Sequence, residues 1–232
     1  MEDKWPWKEP RHPVTRGAFI VIEGLDRSGK TTQVKRLCDK LYSLGYNIKA
    51  IGFPDRTSPT GQMIGNYLQN LTDMDDHAIH LLFSANRWEK ANWIEDTLSA
   101  GYSIICDRYY LSGIAYSLAK KNPSLTIEWA KNSEIGLPCP DAIVFLDILP
   151  QEAEKRAGYG EEKYEKREFQ EQIRSLFLHL LLSSQHESPF KLKIDASLHI
   201  DVIQDKIFAF AKDIVHSAQS GSSGKHISRI QR

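Results

Sequence analysis

Cysteine, net charge and long apolar stretches are all scarce in this chain of 232 residues. Cys38, Cys106 and Cys139 are the three cysteines, an odd number at wide separations. That count excludes a disulfide framework and a clustered zinc site, and it points to a reducing compartment, read as the cytoplasm with nuclear or mitochondrial pools left open. Lysine plus arginine and aspartate plus glutamate each total 30, so the formal net charge is zero. A nucleic-acid binder carries a basic excess; here any anionic ligand has to be met by local charge. No apolar run reaches the length of a membrane span. The opening stretch "MEDKWPWKEPRHPVTRG" lacks the apolar core of a secretory signal, and its acids argue against a transit peptide. There is no internal repeat. Neither nucleic acid nor membrane is expected as a partner.

What is present alternates. The apolar runs "AFIVIE" (18–23), "NIKAIGF" (47–53), "YSIIC" (102–106), "DAIVFLD" (141–147) and "FKLKIDA" (190–196) read as five strands. Between them lie helical patterns. In the first, Val34, Leu37, Cys38, Leu41 and Leu44 share one face and Gly45 ends the helix. Further helices are predicted over 60–70, over about 75–100 in two pieces, after "DRY", up to about Gln185, and over "DVIQDKIFAFAKDIVHSA". Alternation of this kind predicts an α/β fold, a five-stranded parallel sheet covered on both faces by helices. Residues 1–17 and the Gly/Ser-rich residues 216–232 read as flexible extensions. In such sheets ligands bind beyond the carboxyl ends of the strands. The segments there are "GLDRSGKT", "PDR", "DRY" and "DILP".

"GLDRSGKT", between a strand and a helix, is a Walker A loop in the context that motif requires. Backbone N–H groups at the helix start, around Ser28, Gly29, Thr31 and Thr32, hold the phosphates of a nucleoside triphosphate. Lys30 reaches the β- and γ-phosphates and the Thr31 hydroxyl takes Mg²⁺. Asp107, at the end of a strand, suits a Walker B acid holding the same ion; it equally suits a helix N-cap. The loop does not choose between hydrolysis and transfer. The guanine-reading N-K-x-D motif of a GTPase is absent from the sequence. A kinase needs a second anion pocket, which Arg56 and Arg108 suit as guanidinium forks beside strand ends; either is also an ordinary surface arginine. Phe83 and Arg87, four residues apart on one helical face, offer a stacking surface and a donor for a base carbonyl. The same spacing is met by a core phenylalanine and a surface arginine.

"FPDR", "HLLFSANRWE", "DRYYLSGIAYS", "YGEEKYE" and "IDAS", in order behind the phosphate loop, resemble the thymidylate kinases from about Ala18 to about Val215. The resemblance implies a P-loop nucleoside monophosphate kinase fold over 18–215 with a mobile lid at about 156–165. It implies ATP as donor, Mg²⁺, dTMP as acceptor and a homodimer packed through helices. Residue by residue, it implies that Phe83 stacks on thymine, that Arg87 binds its O4, and that Arg56 and Arg108 hold the acceptor phosphate. Phe53 and Pro54 belong to the same pocket, lined by Ser112 and Gly113, with Asp26 near the sugar 3′-hydroxyl and Tyr116 crowding the 2′ position. Arg156 lies beside the adenine, Tyr164 turns toward the nucleotide, and Ala196 and Ser197 border the adenine through their backbone. The alternatives in view are a kinase for dUMP or another deoxynucleotide, and a nucleotide-binding protein without catalysis.

The resemblance also accounts for Arg27, a long cation inside a loop that encloses phosphate. Transfer spreads charge over the equatorial oxygens of the γ-phosphoryl group, and positioned cations answer it. Thymidylate kinases of one type carry that cation in the loop, and "DRSG" is similar to theirs. Arg27 is then an arginine finger supplied in cis, with Asp26 beside it. A solvent-facing loop arginine is the plainer alternative. No general base is evident, and none is required of an acceptor phosphate that is already an anion.

Overall fold

Phe19–Gly24 (β1) is buried along its whole length because it is the centre of the sheet. The computed structural model describes residues 4–10, 12–156, 160, 162–183 and 190–231. Beyond β1 the order along the chain is Lys30–Ser43 (α1), Ile48–Gly52 (β2), Pro59–Leu68 (α2), Asp76–Trp88 (α3), Ala91–Ser99 (α4), Ser103–Asp107 (β3), Tyr110–Leu118 (α5) and Ile127–Asn132 (α6). Ala142–Asp147 (β4), Pro150–Ala153 (α7), Arg167–Ser183 (α8), Phe190–Asp195 (β5) and Ile200–Gln219 (α9) complete it. All strand pairs are parallel, in the order β2-β3-β1-β4-β5. The central strands read as unbroken apolar runs because helices cover both faces; the edge strands β2 and β5 alternate or lie open.

Helix α1 buries Val34, Leu37, Cys38 and Leu41 and packs against α9, while α5 packs against α3, α6 and α8. From β1 the chain goes out to the edge at β2, returns to β3 between the two, then crosses β1 to β4 and β5 on the other side. The order reverses at β1, and the crevice at such a reversal is where open α/β sheets bind ligands. The five predicted strands and the sheet class are observed. Two short helices, α6 and α7, were not predicted: six and four residues are too few to show a period.

Both ends, expected to be flexible extensions, make specific contacts among the described residues. Trp5 packs on the core and donates to Asp39 at 3.0 Å. Lys8 and Asn47 exchange two hydrogen bonds at 2.8 and 2.7 Å. Buried Arg16 forks onto Asp141 at 2.8 and 2.7 Å. At the other end α9 runs on to Gln219. Residues 228–230 then form an antiparallel strap over 136–139: Cys139 N donates to Ser228 O at 2.8 Å, Ile230 N to Leu137 O at 2.9 Å, and Gly136 N to Ile230 O at 2.8 Å. Ile230 is only 5% exposed. Neither segment has a helical or strand period; their anchors are single aromatic, aliphatic and charged side chains.

Candidate active site

The phosphate loop leaves β1 at Gly24 and enters α1 at Lys30. Gly29 is the N-cap, left-handed at φ 96°, and no side chain caps the helix. The first N–H groups of α1 are therefore left to an anion. Lys30 folds under the loop, its Nζ donating to Leu25 O at 2.6 Å. Burial, and then the Arg108 charge, bring its ammonium down to about 8. Thr31 Oγ1 donates to Asp107 Oδ2 at 2.5 Å, so the two oxygens suited to Mg²⁺ stand side by side at the strand ends. Arg156 ties this half together, donating to Arg27 O and to Ala196 O, both at 2.7 Å.

Asp107 does not cap α5. The N-cap there is Tyr109, without a side-chain bond of its own. Glu23, inside the quoted run "AFIVIE", does that work from below. Its Oε1 accepts from Tyr109 N at 2.9 Å and Ser112 N at 3.2 Å, and its Oε2 from Ser112 Oγ at 2.5 Å. Burial pushes the Glu23 carboxyl up, against the Ser112 hydroxyl and the Arg108 charge. Sequence reading passed over it as one polar residue in a core strand; that oddity was the available signal.

Arg108 is left-handed at φ 66° and reaches back to Gly24 O at 2.9 Å, to Ser112 Oγ at 3.3 Å and to Asp26. Asp26 also accepts from Tyr116 Oη at 2.9 Å and Gln170 Nε2 at 2.7 Å. Burial opposes its charge, but the Arg108 and Lys30 cations hold its carboxyl below the usual range. Gln170, on α8, was not foreseen, since a lone glutamine in a charged helix carries no signal.

The acceptor side is assembled by α3 and α5. Phe83 and Arg87 both face the cleft. Arg87 is not a surface arginine: it is 2% exposed and forks onto Glu134, with Nε to Oε2 at 2.8 Å and Nη2 to Oε1. Gly113 on α5 makes room for it, since a Cβ there would lie 2.5 Å from Nη2. The loop between β2 and α2 carries a cis Phe53–Pro54 bond, and Asn86 braces it by accepting from Asp55 N at 2.7 Å. Arg56 pairs with Glu162 and Arg27 with Glu165, so two acids of the "YGEEKYE" segment hold the two guanidinium groups. Residues 157–159 and 161 of the predicted lid lie outside the described residues. Tyr164 lines the cleft, yet its ring is largely buried: it stacks on Phe169 with centroids 5.2 Å apart and its hydroxyl donates to Tyr67 Oη at 3.2 Å.

One cleft of about 1090 Å³ is lined by every predicted site residue except Ala196, which enters only through its carbonyl. The loop with Lys30 and Thr31 occupies one part, with Ser197 at its border, and Phe53, Pro54, Arg56, Phe83, Arg87, Arg108, Ser112, Gly113 and Tyr116 form the other. Lysine and a helix start at one end, and a ring with three arginines at the other, suit two anionic ligands brought end to end.

Comparison with known proteins agrees with that arrangement. Residues 22–207 match the family model described as thymidylate kinase. The chain is 46% identical over 206 residues to a thymidylate kinase of Arabidopsis thaliana, covering 89% of this chain and 75% of that one. It is 39% identical over 210 residues to that of Homo sapiens, covering 90% and 97%. Among solved structures, thymidylate kinase from Candida albicans superposes with a TM-score of 0.81 at 37% identity, covering 93% of this chain and 99% of that one. The chain belongs to the thymidylate kinase family.

Proposed function

We propose that this chain transfers the γ-phosphoryl group of ATP to dTMP, giving dTDP and ADP, as a step of deoxynucleotide synthesis. The observation that carries the reading is the single cleft that joins a Walker A loop to a pocket with an aromatic ring, a buried arginine and two further arginines. The acceptor phosphate, held by Arg56 and Arg108, attacks in line, and no protein base is needed. Phe83 stacks on the pyrimidine and Arg87 donates to its O4. Tyr116, tied to Asp26, crowds the sugar face. Arg27 meets the charge that develops on the transferring group. Catalysis is positioning and electrostatics in a closed cleft.

Mg²⁺ fits the Thr31 and Asp107 oxygens, a sparse, hard-oxygen pair of the kind that leaves the remaining coordination to water and phosphate. When bound it neutralises charge on the β- and γ-oxygens. Exposed Met63 on α2, Leu81 and Trp88 on α3 and Trp93 on α4 support the homodimer. No helix among the described residues is long and apolar enough to cross a membrane, and three buried cysteines, none in a disulfide, support a reducing compartment such as the cytoplasm.

An ADP-release assay against a panel of nucleoside monophosphates tests the reading. dTMP is the best acceptor. dUMP is weaker, since one methyl is worth about 1–3 kcal/mol in a pocket, and dCMP is poor because its amino group faces a donor. Fast turnover of dCMP, or none of any deoxynucleotide, overturns it. Ultracentrifugation checks the dimer.

A further inference from the structure

Arg87 does not stand in the cleft by itself. Its Nε and Nη2 are both committed to Glu134, a carboxylate with 0% exposure that lies 47 residues further along the chain. Glu134 follows α6 in a turn that α3 grips from one side. His80 meets Ala130 O and Ser133 Oγ, each at 3.0 Å. Ser84 Oγ donates to Ser133 O at 2.8 Å, and Trp88 Nε1 to the same carbonyl at 2.9 Å. His80, Ser84, Arg87 and Trp88 are spaced 4, 3 and 1 residues apart, one continuous face of α3. That face therefore delivers both Arg87 and the turn that holds it.

A guanidinium on a stem of three methylenes has many rotamers. The fork onto Glu134 removes them by fixing the plane of the group through two bonds. Bare Gly113 then lets this plane lie against α5, with a Cβ position only 3.1 Å from Nη1. The edge bearing Nη1 is left for a ligand, at one place and one angle. A donor so fixed discriminates an acceptor oxygen from an amino group; a donor free to swing does so poorly.

We propose that Glu134 is the positioning residue for base recognition: by locking Arg87 it sets the preference for a 4-oxo over a 4-amino pyrimidine nucleotide. The inference rests on the reading of Arg87 as the O4 donor. It assigns to Glu134 no contact with substrate.

The test uses the full chain and its Glu134→Gln and Glu134→Ala variants. Steady-state kinetics give kcat and both KM values with dTMP and dCMP, and calorimetry gives dTMP and ATP affinities. Glu134→Gln is close to isosteric, so it carries the test if Glu134→Ala does not fold. In Glu134→Gln the KM for dTMP is expected to rise on the order of 10–100-fold, the size of a small misplacement in a site. The KM for ATP stays within about twofold, and the dTMP-to-dCMP ratio of kcat/KM falls by about tenfold or more. A uniform loss, equal for ATP and dTMP with an unchanged ratio, marks a merely structural role and overturns the proposal. Wild-type kinetics in the variant overturn it as well. A wild-type protein that does not prefer dTMP over dCMP overturns instead the reading of Arg87 on which the proposal stands.

Discussion

Arg27 Nε donates to Glu165 Oε1 at 2.9 Å, the carboxylate nearly buried and the guanidinium about one-third exposed. A carboxylate here meets the guanidinium group proposed to meet phosphate. Glu165 also accepts from Gly160 N at 2.8 Å, so the same acid shapes the turn before it. An incoming γ-phosphoryl group has to compete with Glu165 for Arg27. Removing the finger lowers kcat by on the order of 10³–10⁵ in Arg27→Ala, with nucleotide binding retained by calorimetry. Arg27→Lys recovers little, since an ammonium does not bridge two oxygens. Glu165→Gln, which loosens the hold on Arg27, raises kcat and leaves the KM for ATP within about twofold. A near-wild-type kcat in Arg27→Ala refutes the finger.

Lys30 titrates near 8 in the free protein, below the ordinary lysine value of 10.5, because it is buried and stands beside Arg108. The phosphates of ATP favour its charged form and raise that value on binding. Below pH about 7 the lysine is charged before and after binding, and no proton moves. As pH rises through about 8 the free lysine loses its proton, so ATP binding takes up a growing fraction of a proton and affinity falls as pH rises. Calorimetry at pH 9 in buffers of different ionisation enthalpy reads this directly. Enthalpies independent of the buffer contradict it, as does a buffer dependence that persists in Lys30→Met.

Tyr116 separates crowding from hydrogen bonding in sugar selection. Its hydroxyl holds Asp26 at 2.9 Å, while its ring lies 5.3 Å from the Arg108 guanidinium. Tyr116→Phe keeps the ring and is expected to keep the preference for dUMP over UMP; it loses about 1 kcal/mol of hydrogen bonding. Tyr116→Ala is expected to raise UMP turnover relative to dUMP. An unmoved ribo-to-deoxy ratio in Tyr116→Ala places the discrimination elsewhere.

Removing residues 225–232 strips the strap from 136–139. The burial of Ile230, three backbone bonds and the Arg229 pair with Glu95 go with it. A loss on the order of 2–4 kcal/mol follows from one buried isoleucine and a few hydrogen bonds, or a fall in Tm of roughly 5–15 °C. Differential scanning calorimetry checks it. An unchanged Tm shows that the strap contributes no stability.

The sheet was legible because each strand is an apolar run that ends at a charged or glycine-rich segment. "GLDRSGKT" placed one half of the cleft from spacing alone, and the motif resemblance supplied the other half. What escaped the sequence were partners rather than sites. Glu23, Glu134, Glu162, Glu165 and Gln170 each serve a predicted residue 89 or more positions away or within a run that shows no period, or, for Glu134, 47 positions away. An acid that neutralises a distant arginine leaves no local trace, because its meaning is set only by the fold. The contacts of the tails escaped for the opposite reason: composition suggested freedom, while the packing of Trp5 and the burial of Arg16 and Ile230 rest on single side chains that show no period.

Arg27 sits at φ 60°, a conformation that costs a side-chain-bearing residue about 1–2 kcal/mol and glycine almost nothing. The residue that the chemistry asks for is therefore the wrong one for the backbone beneath it. Arg27→Gly relaxes the loop while removing the finger, so a variant that melts higher than the parent is also the one that has stopped turning over. Selection for thermal robustness alone, in a laboratory population with no demand for dTDP, would drift toward glycine at this position. The arginine persists only where activity is the criterion, and the loop carries a standing conflict between endurance and catalysis.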